Sequence, residues 1–429
     1  MMQSKISPKI LALFVTVILV VGVWLLVRPA SSGAPIRVGV LHSLTGTMAV
    51  SERSVVDATL FAIEEVNRRG GLLGRKIVPI VVEGQSDWLT FAREAERLLT
   101  REHLTYLFGR WTSASRKMVK PVIEHYQGLL FYPVQYEGVE ASPNIIYTGA
   151  APNQQIIPAV KWASDNLGKR FYLVGSDYIF PRMAHTIMRE VIAALEDEVV
   201  GEHYMPLGAH DVQAVIDDIV RTQPAVILNT INGSSNLPFF TQLRAVGIDS
   251  QTLPTISFSI TEEELRSMHV ADMAGDYAAW TYFQSGEGVR NQAFIENIRS
   301  RYGPERVVTD PMEAAYIGVH LWAQAVELAG TVDLQAVRTV LHNLSFEAPG
   351  GMVYLDGQTQ HTWKTVRIGQ VQRHEQFAIV WTSGKPVRPV PFPVYRSRSE
   401  WQRVLDSFFV AWGQHWSHTA PTAGKEPAP

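Results

Sequence analysis

Several segments of this chain have residue types that could do chemistry, and their spacing decides which chemistry is possible. Gly70-Gly71-Leu72-Leu73-Gly74-Arg75-Lys76-Ile77 has the glycines and lysine of a phosphate loop, but the glycine spacing is wrong and Ile77 stands where Ser or Thr is needed. It reads as a turn between a helix and a strand. No nucleotide fingerprint follows the first apolar run, and no Gly-x-Ser-x-Gly nucleophile elbow occurs. The 13 His residues are scattered without the spacing that puts two ligands on one helix face, so no metal site is expected. The chain has 0 Cys, which excludes a disulfide framework, a thiolate zinc site, a Cys nucleophile and an N-terminal lipidated Cys. Glu262-Glu263-Glu264 fits a solvated helix N-terminus, where the dipole favours negative charge. No catalytic residue, metal or cofactor is therefore assigned, and the chain is expected not to be an enzyme.

Four other segments combine aromatic, hydroxyl and amide side chains. They are Arg110 to Ser115, Tyr132 to Gly138, Gly175 to Pro181 and Asn229 to Asn236, and each follows a short apolar run. Open α/β sheets place their ligands at the C-terminal ends of strands. Two sheets presenting such ends to each other would form a cleft of aromatics, hydroxyls and amides with few charges. Ordinary turn and helix-cap chemistry accounts for any one segment alone. The four together point to a ligand site.

The elements that must position these segments follow from periodicity. Ile36 to Leu41, Ile77 to Val82, Tyr106 to Phe108 and Leu129 to Tyr132 read as apolar strands, separated by amphipathic stretches such as Ser54 to Arg69. Near-continuous apolar strands alternating with helices imply a parallel sheet covered on both faces. The pattern restarts at Phe171 to Val174 and Ala225 to Leu228, without a low-complexity linker. Asp310 to Leu328 reads as a strong helix, and Gly351 to about Tyr395 as strand-like and turn-rich.

With 429 residues, 46% hydrophobic and 18% charged, the composition is globular, and the length suits two or three domains. A net charge of −3 offers no basic field for nucleic acid, so none is expected as a partner. Lys5 and Lys9 precede an apolar stretch from Ile10 to Val27 whose only polar member is Thr16. As a helix it would span about 27 Å, close to the hydrocarbon thickness of a bilayer. Residues 1–33 are expected to be either a signal peptide or an uncleaved membrane anchor, with the remainder periplasmic or otherwise extracytoplasmic. The tail from about His418 has no apolar period and is expected to be disordered.

Gly109 to Lys117, Phe131 to Gly138, Ser142 to Ile145, Gly149 to Gln155 and Gly175 to Tyr178 resemble the urea and short-chain amide branch of the type I periplasmic binding proteins. Asp310 to Tyr316 and Gln360-His361-Thr362 extend the resemblance, which runs from about Ile36 to Pro393. It implies two Rossmann-like α/β lobes with a hinge, to which the apolar stretch read above adds one N-terminal helix. Residues 36–148 and 277–342 are expected to form lobe one, and 149–276 and 343–395 lobe two. Residues 396–429 would be a C-terminal extension. The resemblance also implies a receptor that delivers a small neutral ligand, urea or a short-chain amide, to an ABC permease in the cytoplasmic membrane. An amide-sensing regulator on the same fold, or an amide hydrolase, is the alternative. The expected ligand-binding residues are Trp111, Ser113, Tyr132, Gln135, Tyr178 and Asn232. Ser113 would serve the ligand carbonyl, Gln135 and Asn232 its NH₂ groups, and the aromatics would wall the cleft. Arg110 departs from the pattern, standing where a small residue such as Cys is expected. Ser234 stands where urea-type relatives commonly carry Asp.

Overall fold

A computed structural model describes residues 33–342 and 344–418. The expected N-terminal helix, with its reading as signal or anchor, lies outside them, as does the tail from 419 onward. Among the described residues no helix is long and apolar enough to cross a membrane.

The apolar runs form strands β1 (Ile36–His42), β2 (Ile77–Glu83), β3 (Tyr106–Gly109), β4 (Leu129–Tyr132) and β5 (Ile145–Tyr147). They pair in parallel in the order β2-β1-β3-β4-β5. β3 and β4 are buried at every residue, as strands covered on both faces must be. The second series comprises β6 (Arg170–Ser176), β7 (Glu198–Met205), β8 (Val226–Thr230), β9 (Thr255–Ser257) and β10 (Tyr277–Trp280). β11 (Ser345–Ala348), β12 (Gly351–Leu355) and β13 (Thr362–Trp363) make a small antiparallel sheet. β14 (Arg367–Val371) and β15 (Phe377–Thr382) add two antiparallel strands to the edge of the second sheet, whose order is β15-β14-β10-β9-β8-β6-β7.

The doubly wound α/β architecture agrees with the sequence reading, while two boundaries differ from it. Tyr277–Trp280 was assigned to lobe one, but it pairs with β9 and β14 and so lies in the second sheet. Ala348, Val353 and Leu355, assigned to lobe two, pack in the core around Ile317 and Leu321 of the Asp310–Ala329 helix, against the first sheet. A buried strand of four residues carries no local mark of which sheet will accept it. The chain thus crosses between lobes after β5, after β10 and after β13. Hydrogen bonds tie the crossings together: Gln154 donates to Thr362 O (2.9 Å) and Val387 O (2.8 Å), and Thr281 N donates to Asp310 (2.9 Å). Lys364 and Glu313 form a buried ion pair at 3.1 Å in the same region.

Within the C-terminal extension, residues Arg398–Ala411 form a helix opened by a capping box between Ser397 and Glu400. Trp401 is fully buried and donates to Pro393 O at 2.7 Å. Beyond that helix the backbone returns to the second lobe, where Ile179 N donates to Trp416 O at 3.0 Å and Ser417 bridges to Tyr178.

Candidate functional site

The C-terminal ends of β1, β3 and β4 face those of β6, β8 and β9, and the two lobes touch along this line. After β3 the backbone turns sharply. A Cβ on Gly109 (φ +133°) would lie 2.3 Å from Leu41 O, so only glycine fits there. Arg110 follows with φ +80°, its N–H held by Leu41 O at 3.0 Å. Thr112 then caps the Ser113–His125 helix by accepting from Ser115 N.

All six expected ligand residues are buried at or beside the line where the lobes meet. Trp111 donates from its indole to Asn232 Oδ1 across the lobes at 3.3 Å, and Tyr132 donates to Trp111 O at 2.6 Å. Gln135 reaches across to Phe258 O at 2.8 Å. The Tyr178 ring lies 6.1 Å from that of Trp88 in the first lobe. Asn232 donates to Thr230 O, and its backbone N–H is held by Ser176. Ser113 is differently placed from the expectation. Its hydroxyl donates to Glu137 and accepts from Arg116 (3.1 Å), so it is committed within its own lobe.

That commitment belongs to a buried network. The Arg116 guanidinium lies over the rings of Tyr132 (4.7 Å) and Tyr136 (4.4 Å) and pairs with Glu137 (3.2 Å) and Glu140 (2.8 Å). Lys117 pairs with Glu140 at 3.1 Å. Burial pushes the Glu140 carboxyl up, but Arg116 and Lys117 outweigh it and hold the carboxyl well below the usual range. His361, stacked on Tyr147 with ring centroids 4.2 Å apart, is pushed down to about 4 by burial and stays neutral at pH 7. The network pins the 135–140 loop, and with it Gln135.

Several residues at this line were not singled out from the sequence as ligand contacts. Thr47 and Ser234 meet across the lobes at 2.9 Å, and Ser51 donates to Glu264 at 2.5 Å. Ser234 thus contacts the first lobe at the exposed rim of the cleft. Gln155 donates to Phe258 O (3.2 Å) and Ala279 O (2.7 Å), leaving its Oε1 without a partner, as is Gln135 Oε1. Ser235 Oγ, His42 Nε2 and all three guanidinium nitrogens of Arg110 are likewise buried and unpartnered. Burial pushes Arg110 down to about 9, with the Glu52 carboxylate opposing the shift. The sequence signals for Arg110 were its place in the Arg110 to Ser115 segment and its departure from the family pattern. Gln155 was marked only as part of the Gly149 to Gln155 resemblance, and Glu52 and His42 gave no signal.

A cleft between two parallel-sheet lobes joined by three crossings has the geometry to enclose a small molecule. The family model described as "Periplasmic binding protein domain" matches residues 36–398. The chain belongs to the periplasmic binding protein family. Members bind small ligands and deliver them to permeases, so this periplasmic binding protein is a transport receptor and not an enzyme, and membership implies an extracytoplasmic location. It is 22% identical over 363 residues to Leu/Ile/Val-binding protein homolog 6 of Brucella melitensis, covering 82% of this chain and 91% of that one. A solute-binding protein of an ABC transporter from Rhodopseudomonas palustris HaA2, solved with p-hydroxybenzoic acid, superimposes with TM-score 0.76 at 20% identity, covering 84% of this chain and 99% of that chain. A shorter match, 28% identical over 155 residues, is to limonene hydroxylase of Geobacillus stearothermophilus. It spans 36% of this chain and 27% of that protein.

Proposed function

We propose that this receptor takes urea or a short-chain amide and hands it to an ABC permease by closing and opening its cleft. The observation that carries the reading is a pair of buried, unpartnered amide oxygens, Gln135 Oε1 from the first lobe and Gln155 Oε1 from the second. Each acceptor left unpaired in the interior costs about 1–3 kcal/mol, and the NH₂ groups of a small amide answer that need. Ser235, whose hydroxyl is also unpartnered, and the N-terminus of the Ser113–His125 helix supply donors for its carbonyl. Trp111, Tyr132 and Tyr178 exclude water, and Asn232 holds Trp111 in place. Ser113 acts through Glu137 and Arg116, which fix the loop that carries Gln135. Residues 1–33 direct export, as a cleaved signal or as a tether.

Calorimetry with urea, acetamide, formamide and branched-chain amino acids tests this. Reversible one-to-one binding of an amide, without its consumption, is the expected result. Binding of amino acids alone would leave a receptor but end the amide reading. The mass of the exported protein separates the two N-terminal cases: an end near Ala34 means cleavage, and an intact Met1 or Met2 end means a tether.

A further inference from the structure

We infer that the solute held in the cleft carries a carboxylate as well as an amide, and that Arg110 is the residue that reads it. The inference rests on the amide reading above and narrows it, from a neutral amide to a small amide-bearing carboxylate.

Arg110 is fully buried, and its Nε, Nη1 and Nη2 have no hydrogen-bond partner. Guanidinium groups in protein interiors are normally paired, because an unpaired buried charge is among the most costly features a fold can carry. The surroundings do not supply the missing partner. Its guanidinium lies 5.4 Å from the centre of the Phe91 ring, a contact that stabilises the charge but accepts no N–H. The nearby carboxylate, Glu52, is already engaged: its Oε2 accepts from His42 Nδ1 (2.9 Å) and from Ser43 N (2.8 Å). His42 Nε2 is unpartnered too, and it lies 3.0 Å from where a Cβ on Gly109 would stand, beside the backbone of Arg110. The left-handed backbone of Arg110 is a further cost that a residue without a function there would not need to carry.

Arg110 follows β3 directly and so stands at one of the strand ends that meet at the cleft. Trp111, the residue after Arg110, bonds across the lobes to Asn232 and accepts from Tyr132, three residues before Gln135. A planar guanidinium with free N–H groups matches a carboxylate in two parallel hydrogen bonds. A solute with a carboxylate at one end and an amide at the other would satisfy Arg110 and the two glutamine oxygens together.

The test is calorimetry on the purified protein with three probes: oxamate, which has both groups, acetamide, which has only the amide, and acetate, which has only the carboxylate. Oxamate is expected to bind about 10–100-fold more tightly than either of the others. Arg110→Met should abolish that preference and, by removing an unpaired buried charge, should raise the melting temperature of the ligand-free protein. Acetamide binding as tightly as oxamate, or an unchanged oxamate affinity in Arg110→Met, would overturn the role of Arg110 and leave the amide reading intact. Acetate binding as tightly as oxamate would retain Arg110 but remove the amide. Binding of none of the three would end this inference and leave urea and formamide as the ligands of the amide reading still to be titrated.

Discussion

Ser113 and Glu262 are the two residues whose environments make opposite demands on experiment. The Ser113 hydroxyl sits between Glu137 and Arg116, so Ser113→Ala leaves two buried charged groups each short of one partner. We expect a loss of about 1–3 kcal/mol in unfolding free energy by denaturant titration, with a smaller fall in ligand affinity. An unchanged stability with a large loss of affinity would instead put the hydroxyl on the ligand. Glu262 is buried and accepts from Gln284 N at 2.8 Å. Burial raises its carboxyl to about 8 from 4.5, with Asp310 and Glu264 adding to the shift and the Gln284 N–H opposing it. Between those values the folded protein keeps a proton that the unfolded chain has released. That contribution is complete below about pH 4.5 and is lost as pH rises through 8. Relative to Glu262→Gln, the parent should therefore lose stability across this window, at no more than about 1.4 kcal/mol per pH unit. Parallel melting curves at every pH would show that Glu262 is ionised in the folded state.

At the scale of elements, the Ser113–His125 helix and the 135–140 loop are held together by charges instead of apolar packing alone. Arg116, Lys117, Glu137 and Glu140 are all buried. Removing one member leaves its partners as uncompensated charges. Arg116→Met is expected to cost about 3–5 kcal/mol by chemical denaturation and to weaken ligand binding as the Gln135 loop loosens. A cost below about 1 kcal/mol would mean that the loop is held by other contacts. The strands that flank the helix were legible in the sequence, from the apolar runs Tyr106 to Phe108 and Leu129 to Tyr132. The network was not, because Arg116 and Glu140 are 24 positions apart and only the chain's return through β4 brings them together. The same limit explains β10 and the β11–β13 sheet. β10 is a short run whose partner β14 lies far along the chain, and β11 and β12 pair locally but pack beside the distant Asp310–Ala329 helix.

For the whole molecule, the contacts between lobes decide the mechanism. Thr47–Ser234, Ser51–Glu264, Trp111–Asn232 and Gln135–Phe258 all join residues of the first lobe to residues of the second. A ligand shifts a conformational equilibrium only through contacts that differ between the states. Tyr178, from the second lobe, packs beside Trp88 of the first and is bridged by the backbone of Ser417. Tyr178→Ala should therefore reduce closure as well as affinity. Small-angle scattering with and without saturating ligand should show the parent compacting and the variant compacting less, and the ligand-free variant should melt at a lower temperature because the ring is buried. Equal compaction and equal affinity in the two proteins would remove Tyr178 from the closing surface.

The sequence by itself determined the order of α/β units, the family, and the four strand-end segments that meet at the cleft. These depend on local periodicity and on residue words a few positions long. Only the tertiary structure decided that β10 joins the second sheet, that Ser113 is bound to Glu137, that Ser234 meets Thr47, and that Arg110 is buried without a partner. The physical reason is common to all four. Strand pairing and the satisfaction of a buried polar group depend on which distant residues arrive beside it, and a reading of neighbours along the chain does not contain that information.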